Sequence, residues 1–371
     1  MTKTKRIKSA QEIEQLFKVL RVLLAIIIAL AFAFGVILAI SSEPFEAIFD
    51  FVVGPFTTMR RFGETISKMI PIMLTGCAVC FIFSANQTNM AVEGGFTVGA
   101  LGAAIVAIYV PIPNPILHTL LALFVGGLFG TLACAVPTFM YIKFNAKPIV
   151  SSLMVNYICM YIAVGLINHP MRDNSAGFNA SFPFKETAVL PRMIKGTSIH
   201  FGLIIGILIT IFAYLYLYRS KKGYEIRVFG MNEQFAEYVG MPTKKIVWNS
   251  QLIGGFIAGL AGAVEILGMY TRFQYAANTG LGFDGIMVGI MSGFNPLFVP
   301  LSSFFYAYVK EGAAILARSS DIPIELVSII QAIIIMLVVA ERFLYHRKHK
   351  MMVKNAEERL ALENATTKEA A

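Results

Sequence analysis

The chain has 371 residues, of which 57% are hydrophobic and only 14% are charged. Soluble domains carry about 25% charged residues, so this composition excludes an ordinary soluble protein and indicates a membrane protein. The net charge of +9 could suggest a nucleic-acid partner, but the basic residues lie beside apolar segments. We therefore predict no nucleic-acid binding.

The chain begins with a basic stretch, residues 1–18, which we predict to be a cytoplasmic segment. An apolar run of about twenty residues is long enough to cross the hydrocarbon core of a bilayer. The first such run, at residues 22–40, is too long for a signal-peptide core, and no small-residue cleavage site follows it. It therefore predicts a retained membrane span.

Ten apolar stretches are candidates for transmembrane or re-entrant helices, and together they define a permease domain at residues 19–343. They lie at residues 19–40, 66–83, 96–110, 116–140, 149–167, 200–218, 246–267, 283–291, 297–316 and 323–343. Excess Lys and Arg in short flanks marks the cytoplasmic side. This rule places both termini, a basic loop at 219–247 and the charged tail at 344–371 inside. The predicted fold class is an all-α, polytopic membrane helical bundle.

Two stretches are weak as complete spans. Residues 86–95 are polar, and residues 283–291 are short for a crossing. Irregular backbone at membrane depth is tolerated only where it is buried in protein or lines a cavity. We therefore predict that both stretches are re-entrant or broken helices near a transport path.

Polar side chains at membrane depth are costly, so they usually face other helices or a water-filled cavity. Ser152 and Asn156 lie one helical turn apart, where they could bind a sugar hydroxyl or a base edge, or make an interhelical hydrogen bond. Glu93 could contact cargo or cap a helix. Asp284 could also cap a helix, and Asn295 precedes a proline in a turn signal. The predicted transport-path residues are Asn89, Glu93, Ser152, Asn156, Asp284 and Asn295.

The polar loop at 219–247 contains a short amphipathic helix. Asn232 is its predicted N-cap, and Gly240 suits the left-handed residue that follows a helix end. The apolar face of this helix consists of Met231, Phe235, Ala236 and Val239. Because the helix is held between two spans and its apolar face is not satisfied by water, we predict that it docks on another protein.

Missing motifs limit the chemistry of the chain. No G-x-x-x-x-G-K-[ST] phosphate loop occurs in the sequence, so any ATP is predicted to bind a partner subunit. Cys77 and Cys80 form a C-x-x-C inside an apolar span, where packing is a better interpretation than redox or metal chemistry. We predict that the chain is not an enzyme, holds no metal and has no cofactor of its own.

Several sequence elements resemble one transporter family. The run Gly223-Tyr-Glu-Ile-Arg227, followed by Gly230, Asn232, Ala236 and Gly240, resembles the coupling loop of ABC importer permease subunits. Leu153-Met-Val-Asn-Tyr-Ile158 and Asn89-Met-Ala-Val-Glu-Gly94 are similar to elements of the nucleoside-type permeases, within the group that also carries sugars and branched-chain amino acids. Gly95 stands where that family usually has Gln, which affects the cargo and not the class.

The resemblance implies a multi-pass importer subunit for nucleosides in a bacterial plasma membrane. The implied partners, besides membrane lipid, are a cytoplasmic ABC ATPase, a second related permease subunit, and an extracytoplasmic substrate-binding protein or lipoprotein. The implied ATPase-coupling residues are Gly230, Asn232, Phe235, Ala236, Val239 and Gly240.

Two alternatives remain open. One is the same machine with a ribose-like sugar or a branched-chain amino acid as cargo. Lys310 is the only Lys or Arg well inside a candidate span, and Glu311 beside it offers a counter-charge, which argues against a cargo with a carboxylate. The other alternative is an ion-coupled secondary transporter, which would need intramembrane carboxylates or broken helices.

Overall fold

The computed structural model describes residues 43–339, together with residues 31, 34, 35, 37 and 38. The predicted segments at 1–18 and 344–371, and most of the predicted span at 19–40, lie outside the described residues. The helices of the described part are α1 (Pro44–Val52), α2 (Met59–Ser84), α3 (Val92–Tyr109), α4 (Pro115–Phe144), α5 (Pro148–Asn168), α6 (Gly202–Arg219), α7 (Lys221–Met231), α8 (Glu233–Tyr238), α9 (Thr243–Met269), α10 (Leu281–Met291), α11 (Val299–Ser319) and α12 (Ile324–Val339). Residues 49–315 form one compact unit, and the described residues before 49 and after 315 belong to a second.

Six described helices, α2 to α6 and α9, are long and apolar enough to cross a membrane. The chain is therefore a multi-pass membrane protein, and the predicted all-α class is confirmed. Residues 281–291 and 296–319 form a pair of helices bent by 110°, which confirms that 283–291 is not an ordinary complete crossing. The prediction for 86–95 was wrong in part, because α3 already begins at Val92 and only residues 85–91 are non-helical.

Glycines allow α3, α4 and α9 to approach one another closely in the centre of the larger unit. A Cβ on Gly259 of α9 would lie 2.3 Å from the Gly126 carbonyl oxygen and 2.8 Å from Gly130 Cα, both on α4. On α3, a Cβ on Gly99 would lie 2.3 Å from Gly259 Cα. Small residues at such contacts let helix backbones pack directly in lipid, where no hydrophobic effect drives association.

The two ends of the bundle can be told apart by what packs there. At one end, which we call the coupling end, α7 crosses the last turn of α2, and a Cβ on Gly230 would lie 1.9 Å from the Ser84 carbonyl oxygen. At the other end, the outer end, residues 169–201 form the outer segment between α5 and α6. Ser67, in the first half of α2, donates a hydrogen bond of 2.5 Å to the Ser198 carbonyl of this segment.

Charged side chains of α2, α10 and α11 are arranged in pairs. Lys310 binds one carboxylate oxygen of Asp284, and Tyr306 donates to the other oxygen at 2.5 Å. The Lys68 ammonium lies 2.5 Å from the Glu311 carboxylate. The expectation that Glu311 neutralises Lys310 was wrong, because adjacent residues on a helix point in different directions and meet different neighbours.

Candidate functional site

The short helix α8 presents an exposed apolar surface at the coupling end. Its predicted ends are confirmed: the Asn232 side chain accepts a hydrogen bond of 2.9 Å from the Phe235 N–H, and Gly240 has a φ of +77°. The coupling surface consists of Met231, Phe235, Tyr238 and Val239, all exposed, with Met231 83% and Tyr238 92% accessible. Ala236, which we predicted on the same face, is fully buried. Ala236 therefore anchors α8 and offers no area for docking.

Two contacts join the coupling segment to the membrane helices. Tyr141, near the end of α4, donates a hydrogen bond of 3.3 Å to the Glu233 carboxylate at the start of α8. The backbone of α7 at Gly230 touches the end of α2 at Ser84 so closely that a methyl group has no room there. These contacts join α7 to the end of α2 and α8 to the end of α4.

A small polar cleft lies beside these contacts at the coupling end. It has no room for a water-sized molecule and is lined by Gln87, Asn89, Thr138, Tyr141, Pro148, Val247 and Gln251. Ligand pockets for small molecules usually measure about 300–1,000 Å³, so this cleft is too small for a cargo of nucleoside size. Asn89 donates to Gln251 of α9 at 2.9 Å and accepts from the Ala91 N–H at 3.0 Å. It therefore fastens the turn between α2 and α3 to α9.

Ser152 and Asn156 of α5 hold the same turn from the other side. The Ser152 hydroxyl accepts from the Met90 N–H at 2.9 Å. The Asn156 amide accepts from the Gly94 N–H at 2.8 Å and donates to the Met90 carbonyl at 3.0 Å. In this conformation both side chains make the interhelical hydrogen bonds that we weighed as the alternative. Contact with cargo stays a prediction for Asn89, Ser152 and Asn156.

Glu93 caps a helix that is distant in sequence. Its carboxylate accepts hydrogen bonds from the N–H groups of Gly280 at 2.8 Å and Gly282 at 2.7 Å, and from the Thr279 hydroxyl at 3.2 Å. These donors surround the start of α10, where unpaired N–H groups and the helix dipole favour an anion. Local sequence could suggest a cap at Glu93, but the capped helix could not be found without the fold.

The remaining two predicted path residues lie further along the chain. Asp284 is in the first turn of α10, in the ion pair with Lys310 described above. Asn295 accepts from the Leu297 N–H at 3.1 Å and stabilises the turn between α10 and α11. Glu93 thus links the group at the α2–α3 turn to the start of α10, where Asp284 lies. Among the described residues, no cluster of His, Cys, Asp or Glu could hold a metal ion.

Sequence reasoning missed an irregular segment in the outer half of the bundle. Residues 270–280, which we call the descending segment, leave the outer end of α9 and return to Glu93. Gly95, two residues after Glu93, lies against Ala258 in the middle of α9, so the descending segment reaches membrane depth. Such backbone must be buried in protein or line a cavity.

The outer segment is fastened to the descending segment by an ion pair and by backbone hydrogen bonds. Arg272 lies 2.5 Å from the Asp173 carboxylate. Ser181 donates its N–H to the Phe273 carbonyl at 2.9 Å, and Phe184 donates its N–H to the Thr271 carbonyl at 2.9 Å. Hydrogen bonds from the Ser175 hydroxyl and N–H, followed by that from Arg272, lower the pKa of Asp173 to about 2. Asp173 is therefore charged throughout the physiological pH range.

The cap on α10 gives the first testable prediction. Glu93→Ala removes a buried carboxylate and leaves the Gly280 and Gly282 donors unpaired, so we expect a loss of about 3 kcal/mol in unfolding free energy. Thermal unfolding of the detergent-purified protein measures this change. Glu64→Ala is the control, because Glu64 pairs with exposed Arg60 and such a pair contributes at most about 1 kcal/mol. Equal destabilisation by the two variants would contradict the capping role.

Comparison with known proteins identifies the family. The family described as branched-chain amino acid transport system, permease component, matches residues 62–339. The guanosine ABC transporter permease protein NupP of Bacillus subtilis is 31% identical, over 93% of this chain and 99% of its own length. The glucose permease protein TsgB13 of Haloferax volcanii is 27% identical, over 86% of this chain and 87% of its own. The nucleoside permease protein NupB of Lactococcus lactis is 24% identical, over 86% of this chain and 90% of its own. The chain therefore belongs to the family of permease components of branched-chain amino acid transport systems.

Proposed function

We propose that the chain is the permease subunit of an ATP-driven importer of nucleosides in a bacterial plasma membrane. The observation that carries the coupling part is the exposed apolar surface of α8, joined to α2 and α4 through Gly230 and Tyr141. The nucleoside part is supported by the similarity to NupP, a guanosine permease, and NupB, a nucleoside permease. The partners in this proposal are a cytoplasmic ABC ATPase, a second related permease subunit and an extracytoplasmic substrate-binding protein.

The contacts of the membrane helices suggest how ATPase motion reaches the transport path. A push on α8 acts on α4 through Tyr141 and on α2 through the contact at Ser84. Further along α2, the Thr75 hydroxyl donates to the Leu281 carbonyl at 3.0 Å, at the start of α10. A movement of α2 therefore changes the position of α10 and of the descending segment before it. In this proposal, such a movement alternately opens the two ends of the path.

The second candidate function is the same machine with a sugar as cargo, which the similarity to the glucose permease TsgB13 favours. An amino-acid cargo is less well supported, because Lys310 is already paired with Asp284. An ion-coupled transporter offers no reason for the exposed apolar face of α8, whereas an ATPase partner does.

Uptake measurements test the proposed function directly. Cells with and without the chain receive labelled guanosine, uridine, ribose and leucine, once with ATP depleted and once with the ion gradient collapsed. We expect chain-dependent uptake of a nucleoside that requires ATP and survives loss of the gradient. Uptake of ribose or leucine alone would show that the cargo is not a nucleoside. Uptake that depends only on the ion gradient would overturn the proposed coupling to an ATPase.

A further inference from the structure

A cluster of aromatic rings lies beneath the contact between the outer segment and the descending segment. The Tyr275 ring centroid lies 5.1 Å from that of Phe273 and 5.7 Å from that of Tyr270, both edge-on, and 6.4 Å from that of Phe96, which is stacked. Phe96 belongs to α3, whereas the other three rings belong to the descending segment. Pairs of this kind bury large apolar faces that can also receive a flat ligand.

Two polar atoms are buried at this cluster without a partner. Within the described part of the chain, neither Glu265 Oε2 nor the Tyr275 hydroxyl has a hydrogen bond. Glu265 is 8% and Tyr275 7% exposed, and the carboxyl group lies close enough to the hydroxyls of Tyr270 and Tyr275 to interact with them electrostatically. Native proteins satisfy most of their buried polar atoms. An unsatisfied carboxyl oxygen and an unsatisfied hydroxyl in the same buried region therefore point to a ligand.

The position of the cluster suggests how a ligand would reach it. Phe184 and Leu190 of the outer segment belong to the same buried core as Phe96, Phe273 and Tyr275. The outer segment is held there by the Asp173–Arg272 ion pair and by hydrogen bonds to Thr271 and Phe273. These bonds join two irregular segments, not two packed helices, so they can break without disrupting the central α3–α4–α9 contact.

We propose that Glu265 and Tyr275, with the rings of Phe96, Tyr270 and Phe273, form a cargo-binding site that opens when the outer segment separates from the descending segment. The ligand class is a flat heterocyclic base that carries N–H donors. Aromatic faces stack on such a ring, which contributes substantially to base binding, while the Glu265 carboxyl and the Tyr275 hydroxyl accept from its edge. This inference rests on the proposed transport of nucleosides.

The test compares guanosine uptake by cells carrying the wild-type chain and two conservative variants. Tyr275→Phe removes one hydroxyl and keeps the ring, and we expect uptake at limiting guanosine to fall about five- to tenfold, as for the loss of one hydrogen bond. Glu265→Gln is expected to reduce it about tenfold, because the amide puts an NH2 donor in place of one oxygen, and a donor cannot accept from the N–H groups of a base. Tyr161→Phe, an exposed residue of α5 outside the cluster, is the control and should leave uptake unchanged.

Thermal unfolding of the same purified variants separates binding from folding. A purely structural Tyr275 hydroxyl without a partner is dispensable, so Tyr275→Phe should leave the melting temperature unchanged or raise it. Weaker uptake by a protein of equal or higher stability therefore supports the cargo site. If the wild type takes up nucleosides and both variants do so equally well, the cargo-site inference is overturned while the proposed function stands. Absence of any nucleoside uptake by the wild type would overturn the proposed function and this inference with it.

Discussion

Phe235→Asp is expected to abolish uptake while the protein remains in the membrane in normal amount. Phe235 lies within the coupling surface with its side chain half exposed. Buried aromatic residues carry much of the binding free energy at protein interfaces, and loss of one commonly costs 2 to about 4 kcal/mol. That loss weakens association about thirty- to a thousandfold. An unpaired carboxylate in the interface adds a desolvation cost.

The substitution leaves the fold of α8 intact for a specific reason. The Asn232 cap binds the backbone N–H of Phe235 and not its side chain, and an acidic residue in the first turn of a helix is favourable. Uptake assays measure the loss of transport, and immunoblotting of membranes measures the amount of protein. Co-purification of the ATPase measures the loss of association. Tyr224→Asp is the matched control, because Tyr224 is an exposed aromatic residue on the neighbouring helix α7. Normal uptake by Phe235→Asp would refute docking through this surface.

Gly259→Val is expected to prevent stable folding. A Cβ at this position would meet the carbonyl oxygen of Gly126 at 2.3 Å and Cα of Gly130 at 2.8 Å. These atoms are backbone, so no side chain can rotate away, and α3 packs against the same glycine through Gly99. Overpacking of a core costs about 1–3 kcal/mol when neighbours can shift, and here we expect at least the upper value.

Gly165→Val provides the comparison for this prediction. A Cβ on Gly165 of α5 would have open space around it, with no atom within 4 Å. The substitution there therefore alters only the intrinsic helix propensity of the residue and creates no steric clash. Fluorescence-detected size-exclusion chromatography and thermal unfolding in detergent should show a strongly reduced yield of folded Gly259→Val and a near-normal Gly165→Val. A similar melting temperature for both variants would show that α3, α4 and α9 are packed less tightly than described.

Features encoded by local chemistry were predictable from the sequence. The cap at Asn232 and the left-handed Gly240 follow from neighbouring residues, and both are present. Features that depend on distant contacts were not predictable. Glu93 and its partners at residues 279–282 are nearly two hundred positions apart. The pairing of Lys310 with Asp284, and not with Glu311, is likewise decided by which helices meet.

In the candidate transport path, too, local features could be predicted from the sequence and long-range contacts could not. Polar residues such as Asn89 and Asn156 can be found in an apolar sequence, but the fold decides whether they contact other helices or cargo. Tyr275 carried no signal in the sequence, because the descending segment has neither helical nor strand periodicity. Its significance depends on the turn of the chain back to membrane depth.

The pairing of Lys68 with Glu311 has a consequence for biosynthesis. The lysine leaves the ribosome early and its carboxylate partner late, since they lie on α2 and α11. The Lys68 side chain is 40% exposed, whereas the Glu311 side chain is fully buried. A buried charge is costly without a counter-charge. The order of synthesis is therefore favourable, because the cation is already present when the helix that carries the buried acid is made.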